Sequence, residues 1–533
     1  MRKRPVDQSV EQIPGWHVSQ ADSTGRKIGT AALVVSAGII LSRVLGLLRE
    51  VVLADQLGAS GISDTYVVAF IIPDFLNYLL AGGYISITFI PLLSRHLAKG
   101  DVEGARRSFF RIATPVTAVL AALVLIGMAL AEPVIDLVTE LTPQQTSEAA
   151  RLTRIVLPAQ LFFVLGSLLM AIQYANEKFL FPSLAPVIYN LGIIGGGLLL
   201  TDQGQPSGEG FALGVLVGSL VGNFALQAYG AARAGLRMPH QLASSGEDLK
   251  QYLKLALPLM VGQSLVLLDE SIGRVLGTRL GEGPATQLRY ARQVMMAPVA
   301  AIGGAAAVAA FPYLSRMAAE GAFDKLGKTV ARAGRSVAVL GLVAAGPLVA
   351  LSIPVVGLLF DRGAFAANPA NTSATAAALA FYALGIPFWA LQSQYSRGFY
   401  ALREMWTPVL VGTAATVVAI PLSVWLGNAY GVKGLAAAST LSIAGYTAAL
   451  GLLWYRRTGP VHRLEVLGGV GRAFPLVLTA AAAAWLAGRW LASVLGEGWL
   501  DNLAIVVGGG IAFLAVVAIG AAWLAKRPPP LQD

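Results

Sequence analysis

At 533 residues, 56% of them hydrophobic and 13% charged, with a mean hydropathy of +0.66, the chain has too little polar surface to cover a soluble globule and reads as a polytopic membrane protein. Its net charge of +10 does not point to nucleic acid, because the lysines and arginines cluster in short loops between apolar runs, where they set membrane orientation. The absence of cysteine excludes disulfides, thiolate metal sites and a cysteine nucleophile, and the four histidines (His17, His96, His240, His462) lie in the N-terminal tail or in loops without metal-ligand spacing.

Residues 1–28 form a polar tail with Arg2, Lys3, Arg4, Arg26 and Lys27. No small-residue cleavage site follows the next apolar run, so the first span is expected to stay uncleaved. Windows of about 20 apolar residues then fall near 29–53, 64–94, 112–138, 150–175, 181–201, 210–232, 252–279, 286–315, 333–360, 372–400, 407–427, 431–455, 473–495 and 500–525. The expected fold is all-α, with about fourteen transmembrane helices.

Bases alternate between loops. With the N-terminus placed in the cytoplasm, the inner loops hold Arg95, Lys99, Arg106, Arg107 and Arg111, then Lys178, then Arg233, Arg237, Lys250 and Lys254. They continue with Arg316, Lys325, Lys328, Arg332 and Arg335, with Arg403, with Arg456, Arg457, Arg463 and Arg472, and with Lys526 and Arg527. The outer loops are poor in bases, with Arg362 and Lys433 as isolated exceptions. This alternation predicts an even number of spans with both termini cytoplasmic.

The chain also repeats itself. FIPLLSRHLAKG (Phe89–Gly100) returns as AFPYLSRMAAEG (Ala310–Gly321), 221 residues later, and YANEKFLFP (Tyr174–Pro182) returns as YALREMWTP (Tyr400–Pro408), 226 residues later. Two six-helix lobes of like orientation, with a substrate site between them, are the simplest account. The expected division is a tail 1–28, an N-terminal lobe 29–235, a C-terminal lobe 236–460, and a region 461–533 holding two C-terminal helices without a counterpart in the first lobe. That extra, alanine-rich pair is either packing filler or the wall of a lipid-facing groove.

The chemistry concentrates in SRVLGLLREVVLADQLGASGISDTYVVAFIIPDFLN (Ser42–Asn77), where Arg43, Arg49, Glu50, Asp64 and Asp74 interrupt sequence long enough to cross a bilayer twice. Such groups cost roughly 2.5–3.5 kcal/mol each at mid-membrane and normally face a cavity or a partner. Arg43 falls about 21 Å along the first span and Arg49 about 30 Å, roughly 120° apart around the helix. Arg43 is expected to line a cavity. Arg49 and Asp64 are expected at similar height, as an ion pair closing an outer gate; the alternative is that Arg49 and Glu50 snorkel to headgroups. Pro73 and Gly82–Gly83 would let the long second window bend or break, and Asp74 and Asn77, one turn apart, are candidate cavity groups. In SLVLLDESIGRVLGTRLGEG, Glu270 and Arg274 have the spacing of a helical ion pair. By the repeat offset, Arg43 corresponds to Asp269, so bases on the first lobe are expected to face acids on the second. Arg289 and Arg292 follow in the next span. No Ser-His-Asp grouping, phosphate loop or metalloprotease motif is present, so a transporter rather than an enzyme is expected. Arginines in a central cavity suit a phosphate or carboxylate ligand.

The Ser42–Leu76 stretch, with AFPYLSR, LLFDRGAF and GFYALREMWTP, resembles the MurJ (MviN) lipid II flippases of the multidrug/oligosaccharidyl-lipid/polysaccharide exporter superfamily, over most of residues 30–460. The resemblance implies alternating access, a cationic cavity for a pyrophosphate-sugar-peptide headgroup, a polyprenyl-tail groove formed by the last two helices, and a cycle driven by membrane potential or an ion gradient. It places substrate binding at Arg43, Arg49 and Asp64; the family's second-span and eighth-span arginines align with Asn77 and with Gln293, next to Arg292. Asp74, Asp269, Glu270 and Arg274 are candidates for gating or coupling to a cation. The expected protein is a monomeric flippase of a lipid-linked anionic glycan, lipid II for peptidoglycan synthesis, in the bacterial inner membrane among membrane lipids, with no cofactor, metal or nucleic acid. The alternatives are an exporter of another lipid-linked oligosaccharide, a cation-coupled antiporter of organic cations, and a transport-dead scaffold presenting the basic loops 95–111 and 316–335. Alanine at Arg43 and Arg49 separates them: growth supported by each variant is lost for an anion flippase and retained for a cation antiporter or a scaffold.

Overall fold

The computed structural model describes residues 24–81, 84–200, 207–237, 249, 250, 252, 254, 268–459, 461–496 and 498–525. Among these the chain is entirely helical apart from turns. In order the helices are α1 (Thr24–Leu57), α2 (Gly61–Val68), α3 (Ile71–Ala81), α4 (Tyr84–Ala98), α5 (Val102–Ala129), α6 (Ala131–Val138), α7 (Pro143–Val156), α8 (Ala159–Ala175) and α9 (Leu180–Leu199). Next come α10 (Glu209–Gly218), a π-helical stretch Ser219–Ala225, α11 (Leu226–Arg233), α12 (Leu268–Thr278), α13 (Pro284–Ala319), α14 (Phe323–Ala350), α15 (Ser352–Phe360), α16 (Gly363–Ala366), α17 (Ala370–Ala383), α18 (Ile386–Ala401), α19 (Trp406–Thr458), α20 (Val461–Val494) and α21 (Trp499–Ala525). Nine helical segments among the described residues are individually long and apolar enough to cross a membrane. The longest, Trp406–Thr458, accounts for two of the expected windows, because Gly431 (φ 63°, ψ −140°) turns the chain between them. Residues 255–267 of the seventh window, the tail 1–23 and Gly82–Gly83 lie outside the described residues.

The second window does not cross as one rod. Pro73 has no N–H to offer the carbonyl of Ala69, and its ring would collide with it, so the helix ends at Val68 and restarts at Ile71. The freed Ala69 carbonyl accepts from Thr153 Oγ1 of α7 at 3.1 Å. This break carries Phe70 and Asp74 to the centre of the molecule.

The two sequence repeats fold alike. In the first pair, Gly100 and Gly321 both have positive φ (72° and 70°), and the N–H groups of Asp101 and Ala322 reach back to His96 and Met317, each at 3.0 Å. In the second pair, Glu177 and Arg403 occupy the same left-handed conformation (φ 56° and 60°). Lys178 N–H donates to the Gln173 carbonyl at 2.8 Å, as Glu404 N–H does to that of Phe399 at 2.9 Å. These are helix-ending turns in which an αL residue satisfies the last free carbonyls.

The largest core sits where the end of α1 meets the start of α13. α1 packs along α9 and touches α13, α15 and α16, and α13 lies between α12, α17 and α18. Leu53, Leu57, Tyr66, Phe211, Tyr290, Phe360 and Phe365 fill the centre of that contact. The C-terminal pair α20 and α21 packs on itself and against α14 and α15, through Leu351, Val477, Ala480, Ala484 and Phe513. Large apolar side chains remain on the outside, Leu137 and Leu199 at 84% and 83% exposure among them, as a lipid-facing surface requires.

A Cβ at Gly100 or Gly321 would meet nothing within 4 Å, so substitution there costs only backbone strain. Gly100→Ala and Gly321→Ala are each expected to destabilise the protein by about 1–2 kcal/mol, additively, read as a lowered unfolding midpoint in detergent.

Candidate functional site: a central arginine cavity

A cavity of about 550 Å³ opens between α1, α3, α9, α12, α13, α17 and α18, within the size range of small-ligand sites. α1 contributes Arg43, Arg49 and Glu50; α3 contributes Asp74; α12 contributes Arg274; α13 contributes Arg289, Arg292 and Gln293. Phe70, Tyr189, Tyr382 and Trp389 supply aromatic walls. Arg43 and Arg49 reach one cavity despite their angular separation, because it wraps around that face of α1.

Glu50 organises the charges. Its Oε1 accepts from Arg49 Nη2 at 2.6 Å and Nε at 3.2 Å, and from Arg289 Nη2 at 3.0 Å. Arg49 Nη1 donates to Asn190 Oδ1 at 3.1 Å. The Arg289 guanidinium also lies 5.5 Å and 5.9 Å from the ring centres of Tyr66 and Phe70, a cation–π arrangement strengthened by desolvation. Glu50 is fully buried, and its Oε2 has no hydrogen-bond partner. Arg274 Nη1 donates to Asp74 Oδ2 at 2.7 Å, and the Arg292 guanidinium lies 5.5 Å from the Trp389 ring centre. Arg43 is exposed to the cavity, and among the described residues it makes no hydrogen bond or ion pair.

The expected Arg49–Asp64 pair is not formed. Asp64 is engaged elsewhere: Gly283 N–H donates to its Oδ2 at 2.7 Å, and Thr286 N–H and Oγ1 donate to its Oδ1 at 2.8 and 2.6 Å. These are the free donors at the start of α13, so Asp64 caps that helix from across the molecule, away from the cavity. Arg274 pairs with Asp74; Asp269 and Glu270 fall on the first turn of α12 and their side chains lie outside the described residues, and with them the expected Glu270–Arg274 pair. Among the described residues, acids of the first half, Glu50 and Asp74, take arginines of the second; the contact expected at Asp269 lies outside them. Asn77 is not in the cavity wall; its Nδ2 donates to Gln160 Oε1 at 2.9 Å. Arg43, Arg49, Asp74, Arg274, Arg292 and Gln293 are brought together. Sequence reasoning assigned no site role to Glu50 or Arg289, although a glutamate adjoining Arg49 within an apolar run was itself the signal.

Among the described residues, the hydrogen bonds joining the first half to the second, apart from those of Glu50 and Asp74, lie at one end of the cavity. Besides the Asp64 cap they include Tyr290 OH to the Gly58 carbonyl (3.2 Å), Gln145 Nε2 to Glu282 Oε1 (2.8 Å) and Glu140 N–H to Thr278 Oγ1 (3.1 Å). That end is closed.

The family model described as lipid II flippase MurJ matches residues 53–500. The chain belongs to the MurJ lipid II flippase family. It is a family of membrane transporters, not of enzymes. A probable lipid II flippase MurJ of Vibrio cholerae is 28% identical over 79% of this chain and 81% of its own length. The lipid II flippase MurJ of Burkholderia cenocepacia is 28% identical over 73% of this chain and 76% of its own. Among solved structures, a lipid II flippase MurJ in an inward closed conformation superposes with a TM-score of 0.74 at 22% identity, over 93% of this chain and all of that one. An inward-facing multidrug transporter of the MATE family follows with a TM-score of 0.63 at 16% identity, over 84% and 98%. These likenesses carry the fold, which is that of the MurJ and MATE transporters. The family match begins at Leu53, downstream of Arg43, Arg49 and Glu50, so these cavity residues rest on the geometry above.

Removing Asp64 strips three donors of their acceptor. Asp64→Ala is expected to weaken closure by about 1–2 kcal/mol, a five- to thirtyfold change in the open fraction. The chain has no cysteine, so a single thiol at Ala59→Cys, buried at this junction, reports it: a membrane-impermeant maleimide labels it correspondingly faster in the Asp64→Ala background.

Proposed function

We propose that the protein moves lipid II, a polyprenyl-pyrophosphate-linked saccharide used in peptidoglycan synthesis, from the inner to the outer leaflet of the bacterial cytoplasmic membrane by alternating access. The observation that carries this reading is the cavity wall, in which five arginines face two carboxylates and Arg43 has no partner among the described residues. An apolar site with surplus, partly uncommitted guanidinium groups is costly without an anion. A pyrophosphate offers bidentate acceptors to several arginines at once.

In this reading Arg43 is the first of the cavity-wall arginines to meet the headgroup, with Arg292 and Gln293 beside it. The anion then competes with Glu50 for Arg49 and Arg289, and with Asp74 for Arg274. Both carboxylates belong to the first half and both of these arginines, 274 and 289, to the second, so the exchange loosens the contact between halves. A ligand shifts such an equilibrium only by its differential affinity for the two states, and these cross-molecule ion pairs supply that difference. Residues 29–235 and 236–460 act as the two moving lobes, Asp64 holds the outer gate, and the C-terminal pair in 461–533 receives the polyprenyl tail. The alternation of loop bases supports cytoplasmic placement of both termini, and in this reading the unit is a monomer. Coupling to a cation, if the cycle uses one, falls to Asp74 together with Asp269 and Glu270. The organic-cation reading calls on Asp64, Asp269 and Glu270, and the commitment of Asp64 to the start of α13 counts against it.

The test is conditional depletion of the essential lipid II flippase in a host carrying this protein. Growth is expected to be rescued by the native chain and lost with Arg43→Ala or Arg49→Ala at equal expression. Absence of rescue by the native, expressed protein overturns lipid II as the substrate.

A further inference from the structure

Below the cavity, on its expected cytoplasmic side, α18 carries a polar face that the site above does not use. Trp389, whose ring holds Arg292, begins it. Ser393, Ser396, Arg397 and Tyr400 continue it within about 80° of the same side, and Arg397 lies about 12 Å further along the helix than Trp389. The other sides of α18 are committed to packing: Tyr395 OH meets Tyr455 OH at 3.0 Å, Phe399 packs edge-on to Trp454, and a Cβ on Gly398 would strike Trp454.

Arg397 is half-buried in this membrane-spanning helix, and among the described residues it makes no hydrogen bond or ion pair. More exposed inner-side arginines do have partners: Arg335 and Arg332 with Glu465, Arg457 with Glu404, Arg316 with Glu320. The cavity wall does not itself include Arg397 but descends to its level. Its lining descends α13 through Leu288, Arg292, Met296 and Ala300, one face of a helix at four-residue steps. Since α13 and α18 run side by side with Arg292 level with Trp389, the same eight-residue descent brings α13 to Ala300 and α18 to Arg397. Past Ala300, α13 reads AIGGAAA, a run of mostly small residues.

We propose that Arg397, with the hydroxyls of Ser393 and Tyr400, forms a second anion station at the inner end of the cavity that takes a pyrophosphate group before it reaches Arg43 and Arg292. This rests on the flippase reading and adds to it an entry step. A cation without a counter-ion in apolar surroundings keeps its full bidentate donor set for an incoming phosphate, and two stations in series let the headgroup advance without either holding it too tightly.

The probe is inorganic pyrophosphate acting on purified full-length protein. Ala300→Cys gives a single thiol in a chain that has none, placed level with the lower station, and Arg43→Ala weakens the upper one. In this double variant pyrophosphate is expected still to slow maleimide labelling; adding Arg397→Ala is expected to raise the half-protecting concentration about tenfold or more, as for loss of a hydrogen bond to a charged group. Arg397→Lys, which keeps the charge but not the fork, is expected to fall between the two and guards against misfolding of the alanine variant. Unchanged protection with Arg397→Ala, or full protection with Arg397→Lys alongside an unfolded alanine variant, overturns the proposal. Protection by phosphatidylglycerol at lower phosphate concentration than by pyrophosphate also overturns it, assigning the site to membrane lipid. None of these readouts depends on lipid II, so failure of the growth rescue is separable from failure here.

Discussion

A carboxylate cannot be buried in a membrane protein without a counter-charge, and Glu50 meets that constraint with two arginines from different parts of the chain. Arg49 is its neighbour on α1, while Arg289 arrives from α13 across the central contact. Desolvating an ion pair costs several kcal/mol per ion, and removing one partner costs more than the pair contributes. The position of α13 against α1 is therefore tied to this one group. Arg289 is further held against the Tyr66 and Phe70 rings, which ties the broken second span to the same point. The cavity is the space this arrangement leaves.

Two kinds of contact join the halves, and they differ in chemistry. At the closed end, Asp64 satisfies backbone donors of a helix start, geometry that only one relative placement of α2 and α13 satisfies. In the cavity, the joining contacts are ion pairs open to competition by another anion. In the proposed function, the first is a rigid latch at one end and the second a ligand-sensitive one in the middle. That is the separation a two-state transporter needs, because small changes at a site are amplified only where packing is bistable.

Breaks in regular structure serve the same site. Pro73 stops α2 and lets Phe70 and Asp74 face inward, with Thr153 answering the released carbonyl. The repeated turns at Gly100 and Gly321, and at Glu177 and Arg403, are alike in backbone though unlike in side chain. Glutamate and arginine hold a left-handed conformation that glycine would adopt freely, so the turn is imposed by the helices it joins rather than chosen by the residue.

The membrane class, the spans, the alternation of loop charge, the repeats, the break near Pro73 and the place of Arg43 and Arg49 on a cavity were all legible in the sequence, because each follows from local properties: hydrophobic length, proline chemistry and the cost of charge in an apolar run. Which carboxylate meets which arginine was decided only by tertiary structure. Arg49 and Asp64 are close in sequence and expected at similar height, yet Asp64 turns to the start of α13 and Arg49 to Glu50, since an ion pair's partner depends on helix rotation and on contacts more than 200 residues away in the chain. The same reason hid Glu50, Arg289 and Arg397: an isolated charge in a span announces that something polar is there, and only the packing around it shows whether it has been answered.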